Sequence, residues 1–206
     1  MNRLPAHIQE HRQTPSLNRT DAVLAKQVLD GDLEAFECLV QRYETPLFNF
    51  ICRFLGDYDQ ACDVLQAVFI SLYTSLPKLG TGEPFKPWLF QVARNRCVDE
   101  LRRKERHAIH FSQLEDSEGE LAGLSDLPDL GPLPEDVIER RDLQAQLQAA
   151  IETLPPKFRS VVILRYSSEM SFIEIGQVLS MPEATAKTYF HRAKALLRKA
   201  MLARLQ

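Results

Sequence analysis

The side chains best suited to chemistry are basic and sit at helical spacing. The segment opened by Pro182 holds Lys187, Arg192, Lys194, Arg198 and Lys199 against one acid, Glu183. Just before it, Phe172, Ile175, Val178 and Leu179 form the 3.6-residue stripe of a short amphipathic helix. Ser180-Met181 is too short to be a linker, and Pro182 suits a first helical turn because its missing N–H is not needed there. Two tightly joined helices, the second basic, place a recognition helix in a DNA major groove. A second basic row, Asn95, Asp99, Arg102 and Arg106, recurs along one face opposite Leu89, Val92 and Ala93. Asp99 can pair with Arg102 or Arg103 one turn away. Such a row either binds phosphates and base edges or is a solvated charged face. Phe85 and Trp88 flank the start of that helix and either stack on an extruded base or join the core.

Other chemistries find no support. The histidines at 7, 11, 107, 110 and 191 build no catalytic constellation, and no glycine-rich phosphate loop, nucleophile elbow or HExxH motif occurs. The chain reads as no enzyme, with no cofactor and no metal. Cys38, Cys52, Cys62 and Cys97 fit no CxxC zinc spacing and lie in helical patterns. They read as small buried hydrophobes in a reducing cytosol, with a redox or zinc role as the alternative. No apolar run nears 18 residues, and no signal peptide is recognisable, so a soluble cytoplasmic protein without membrane insertion is expected.

The elements that position these residues are all helical. The 206 residues carry a net charge of −3, but the mean hides a pattern. Seven Lys or Arg fall between Lys86 and Arg106, eight acids and no Lys or Arg between His107 and Asp136, and six bases from Pro182 onward. Residues 1–20 read as a polar flexible tail. Residues 21–106 read as a helical domain. Leu33 to Phe54 recur at steps of three and four, Pro46 should kink or divide that helix, and Gly56-Asp57 ends it. Val64 to Leu76 give a second amphipathic stripe. PKLGTGEPFK (77–86) reads as a loop, and Pro87 starts the next helix. Residues 107–134 read as a flexible acidic linker, although leucines at 114, 121, 124, 127, 130 and 133 stud it. It is either a plain tether or a segment that folds back on the basic faces. Residues 135–206 form a second helical domain, with helices over 135–153 and 157–166 before the helix-turn-helix. The fold class is therefore all-α: two small helical domains joined by a linker.

DVLQAVF (63–69) followed by FKPWLFQVARNRCVDELRR (85–103) resembles region two of bacterial sigma factors. LPPKFRSVVILRY (154–166) and SFIEIGQVLSMPEATAKTYFHRAKALLRKAML (171–202) resemble region four. With no recognisable domain between them, the chain resembles an extracytoplasmic-function (ECF) sigma factor. The resemblance implies partners: core RNA polymerase, through the clamp helices of its large subunit and its flap, promoter DNA, and an anti-sigma factor. It implies polymerase binding by Asp63, Gln66 and Phe69. Asn95, Asp99 and Arg102, with Phe85 and Arg103 beside them, would meet the −10 element, and the loop 77–86 would capture a flipped −10 base. Lys187, Thr188, His191 and Arg192 would face the −35 element. Glu174 and Ile175 match a mostly structural tripeptide. Cys62 and Ala67 replace acids usual in the polymerase-binding helix, Gly176 replaces the usual Ala, Ala184 and Ala186 the usual Gly and Val, and Tyr189 and Phe190 the usual Arg and Leu. The alternative function is a stand-alone helix-turn-helix regulator with an N-terminal dimerisation or sensor domain, which leaves the 85–103 segment unexplained.

Overall fold

The computed structural model describes residues 19–78, 84–112 and 135–203; side chains are described within them except at 107–112 and 135–142. Most of the tail (1–18), the centre of the loop (79–83) and most of the acidic linker (113–134) lie outside the described residues. Within them the fold is all-α, with no strand.

Four helices build the N-terminal unit: α1 (Asp21–Leu29), α2 (Leu33–Leu55), α3 (Tyr58–Ser75) and α4 (Phe85–Ser112), with a 3-10 turn at Leu76–Lys78. α2 starts where the Asp32 carboxylate accepts from the Ala35 N–H at 3.1 Å. It ends at Gly56, whose φ of +74° is the left-handed conformation glycine adopts without strain. Asp57 next caps α3 by accepting from the Gln60 N–H at 3.0 Å, so one dipeptide both stops and starts a helix. Pro46 lies inside α2 and does not divide it. α1 is anchored through Asp21, which accepts from Arg42 and from the Tyr43 hydroxyl, both at 2.5 Å. Burial, and then the hydrogen bond to Asp21, pushes the Tyr43 hydroxyl far above its ordinary titration range.

Three boundaries differ by more than one residue from the sequence expectation. α3 begins at Tyr58, a turn and a half before the first apolar residue of its stripe. α4 begins at Phe85, so Pro87 occupies its first turn, where no helical N–H is required. α4 also runs through Ser112, six residues into the segment assigned to the linker.

The C-terminal unit comprises α5 (Glu135–Glu152), α6 (Pro156–Tyr166), α7 (Phe172–Leu179) and α8 (Glu183–Leu202). Ser171 and Glu174 close a capping box at the start of α7, which explains the glutamate of the matched tripeptide, and Ile175 is fully buried. Partial burial alone would raise the Glu174 carboxyl. Hydrogen bonds from the Ser171 N–H and hydroxyl, then the Lys86 charge, outweigh it and hold the carboxyl below its ordinary range.

Gly176 has a reason that helix propensity alone does not give. Its carbonyl accepts from the Met181 N–H at 2.9 Å, closing the turn between α7 and α8. A Cβ at Gly176 would lie 2.7 Å from the Met181 carbonyl oxygen, a backbone atom.

The two units are packed against each other. One apolar cluster joins Phe50, Phe54, Phe90 and Cys97 of the first to Ile151, Val161, Ile163 and Ile175 of the second. Cys97 is fully buried, and Cys38 and Cys52 are half-buried, as small hydrophobes would be. Cys62 departs from that expectation and is exposed on α3. All four thiols are free.

Candidate polymerase and promoter surfaces

On α3, Asp63 and Gln66 are exposed and Phe69 is half-buried against the core. The outward stripe continues instead through Ile70 and Tyr73, 58% and 53% exposed. Asp63, Gln66, Ile70 and Tyr73 follow steps of three and four, so helical spacing carried the signal that the motif match missed. Large apolar side chains left in water beside polar ones mark a surface that another protein covers. Tyr73 is braced by an edge contact with Phe36, ring centroids 5.3 Å apart.

On α4, Asn95, Asp99, Arg102 and Arg103 are exposed. Arg102 lies 3.7 Å from Asp99 and Arg103 3.3 Å from Glu100, one turn apart in each case. All but Glu100 of these four are more than 60% exposed, so the pairs orient side chains and contribute little stability. Arg94 donates to the Asn95 amide oxygen at 3.1 Å, which leaves the Asn95 NH₂ to face outward. Arg96 reaches back to the Ser71 hydroxyl on α3 at 2.8 Å. Between the helices lies a groove of about 400 Å³. It is lined by Asp63 from α3 and by Asn95, Arg96 and Asp99 from α4. Residues assigned from sequence to two different partners therefore border one groove.

Phe85 is half-buried and packs on Tyr43, ring centroids 5.5 Å apart. Trp88 is half-buried against the core. Of the loop 77–86, expected to capture a flipped base, residues 79–83 lie outside the described residues.

On α8, Lys187, Thr188, His191 and Arg192 are all exposed and share one face at spacings of one, four and five. Lys187 Nζ is 2.7 Å from Glu183 one turn back, and lies over the Phe172 ring at 6.0 Å. Both contacts fix the ammonium near the helix N-terminus, the part of a recognition helix that reaches base edges. The opposite face is held by an aromatic bracket that the sequence reading did not find. Tyr189 packs on Phe158 at 5.3 Å, and Phe190 on Tyr166 and Phe172 at 5.6 and 5.4 Å. Ala186 and Ala193 are fully buried and let α8 approach its neighbours closely. The substitutions at 186, 189 and 190 thus lie on the packing side of α8, while Ala184 is exposed beside Lys187 and Thr188.

Among the described residues no group of three or more His, Cys, Asp or Glu could hold a metal ion, and no helix is long and apolar enough to cross a membrane.

Two family models match the chain. Residues 39–107 match sigma-70 region 2 and residues 144–197 match sigma-70 region 4. The ECF RNA polymerase sigma factor SigW of Bacillus subtilis (strain 168) is 35% identical over 174 residues, covering 84% of this chain and 92% of the relative. The RNA polymerase sigma-H factor of Pseudomonas aeruginosa is 30% identical over 185 residues, 88% of this chain and 93% of the relative. Among solved structures, CnrH in complex with the cytosolic domain of CnrY aligns with a TM-score of 0.64 at 21% identity, over 89% of this chain and 97% of that one. The sigma factor RpoE in complex with the anti-sigma factor NepR from Bartonella quintana aligns with a TM-score of 0.61 at 17% identity, over 81% and 96%. At those identities the two structures speak for the fold, and the family matches for the rest. The chain belongs to the ECF sigma factors, which direct RNA polymerase to promoters and start transcription there.

Proposed function

We propose that the chain divides this task between residues 21–106 and 135–206. The N-terminal unit binds the clamp helices of the large polymerase subunit through Asp63 and Gln66, with Phe69 supporting α3 from beneath. Phe85, Asn95, Asp99, Arg102 and Arg103 meet the single strand of the −10 element after opening. Unstacking a base costs a few kcal/mol, which contacts in the loop 77–86 and to polymerase must return. Lys187, Thr188, His191 and Arg192 read the −35 duplex in the major groove, and the C-terminal unit contacts the polymerase flap. The chain works in the cytoplasm, catalyses nothing itself and needs no cofactor. An anti-sigma factor restrains it, as NepR and CnrY are found bound to the two solved relatives.

The observation that carries this reading is the set of four polar side chains on one exposed face of α8, braced from behind by aromatic packing. A promoter-library selection with reconstituted holoenzyme tests it. Arg192→Ala should relax preference at one −35 position. Unchanged preference in both Arg192→Ala and Lys187→Ala would remove α8 from the reading surface.

A further inference from the structure

We infer that Asp21 and Tyr43 are positioning residues for promoter opening: through them α1 holds Phe85 in place for the −10 strand. The inference rests on the assignment of Phe85 to that strand.

Both oxygens of the Asp21 carboxylate are spent on α2. One accepts from Arg42 and the other from the Tyr43 hydroxyl, each at 2.5 Å. Neither caps α1, whose N-cap is Thr20 and which has no side-chain cap bond. Positions 42 and 43 lie about 100° apart around α2, so one carboxylate holding both fixes the rotation of α2 against α1. Arg42 also donates to the Arg19 carbonyl at 2.8 Å, just before α1. Hydrogen bonds to an ionised carboxylate are short and about twice as strong as neutral ones. Tyr43 is 6% exposed, so without Asp21 a nearly buried hydroxyl would lose its acceptor. Burial and the bond to Asp21 keep the phenol protonated, and it stays a donor.

Phe85 packs on the ring that this bond holds still. The centroids are 5.5 Å apart and the planes tilted by 47°. Phe85 is the first residue of α4, and the Pro84 carbonyl before it accepts from the Trp88 N–H at 3.2 Å. The other stem of the loop 77–86 begins in the 3-10 turn Leu76–Lys78, which packs on α1 as well. Leu24 of α1 and Leu76 of the turn are both fully buried in one cluster. α1 therefore braces both stems.

An anchor for α1 alone would not need Tyr43, because Arg42 already ties α1 to α2 through an ion pair. The phenol adds a fixed surface under Phe85. Phe85 is half-buried, so part of its ring stays open to a base. A ring held in place before the base arrives loses less freedom when the two stack.

Reconstituted holoenzyme on a promoter with 2-aminopurine in the −10 region tests this. Tyr43→Phe keeps the ring and loses the bond; Asp21→Asn keeps the size and loses the charge. Each should slow the fluorescence rise about three- to ten-fold, the worth of one hydrogen bond, with affinity for core polymerase and for a −35 duplex unchanged. Phe85→Ala should slow it too. Tyr43→Phe added to Phe85→Ala should then slow it no further, because both act through one ring. Should Tyr43→Phe fail to fold, Asp21→Asn carries the same cycle. Wild-type opening in folded Tyr43→Phe and Asp21→Asn, with only a lower Tm, would overturn the brace. So would a matching loss of core affinity, or effects that simply add to that of Phe85→Ala. These failures leave Phe85 on the −10 strand. Wild-type opening in Phe85→Ala would instead remove Phe85 from that strand, and the brace with it.

Discussion

Lys187 and Arg192 lie on the same face of one helix but have different local surroundings. Lys187 is held by Glu183 and by the Phe172 ring, whereas Arg192 extends from an exposed stretch of α8. A planar guanidinium that reads guanine edges carries discrimination worth about 1–3 kcal/mol, so Arg192→Ala should lose that much at one promoter position. A lysine bound to phosphate instead contributes to every sequence equally, and its removal flattens the salt dependence of binding. Binding of a −35 duplex across a salt series separates the two roles. Residue chemistry on α3 leads to a second expectation. Ile70→Ala and Tyr73→Ala should weaken association with core polymerase as much as Asp63→Ala or Gln66→Ala, measured by co-elution, because all four side chains share the outward stripe. Phe69→Ala should chiefly lower stability. The family motif pointed to Asp63, Gln66 and Phe69 together, but a motif does not say which of its positions support the surface and which belong to it.

At the scale of elements, periodicity and capping chemistry made most helices legible. Gly56-Asp57 marked an end that is found there, Pro182 stands one residue before α8 rather than in its first turn, and α4 outran its expected end by six residues. Packing partners were not legible. Gly176 reads in sequence as a helix cost near 1 kcal/mol relative to alanine. In the fold it is where Met181 crosses α7. Gly176→Ala should therefore destabilise: forcing a methyl against backbone costs about 1–3 kcal/mol, offset by up to about 1 kcal/mol of gained propensity. Thermal denaturation should show a lower Tm, where a free helix would show a higher one. The neighbouring capping box adds a pH dependence. The folded Glu174 carboxyl lies below its ordinary value of 4.5, so its contribution is present above that value and lost as pH falls through the folded one. Glu174→Gln should flatten acid unfolding below about pH 4.5, and a slope unchanged from wild type would show that the cap does not couple to protonation.

For the molecule as a whole, the sequence divided cleanly into two helical units, and nothing in it announced that they share a core. Phe54 and Ile175 each read as apolar residues of their own helix, which says that a face is buried but not against what. Nothing in LPPKFRSVVILRY marks Arg159 for burial, because a charge is seldom buried without a partner carboxylate. Its partners are backbone carbonyls, which every sequence supplies and none advertises. The shared core has a thermodynamic consequence. Two units on a slack tether unfold separately, each with its own midpoint, whereas units joined through a common apolar cluster unfold together. Calorimetry of the free chain should give one transition whose calorimetric and van't Hoff enthalpies agree. Arg159→Ala removes the cation that ties α5 to the end of α2 and leaves the Phe54 carbonyl without its donor. Leaving a buried carbonyl without its donor costs about 1–3 kcal/mol. The seam should yield first, so the variant should split into two transitions, the earlier one belonging to the smaller C-terminal unit. Two transitions in the wild type would mean that the units are thermally independent even while they touch. A single transition in the variant, merely lowered in temperature, would place the stabilising effect of Arg159 inside the C-terminal unit rather than across the seam.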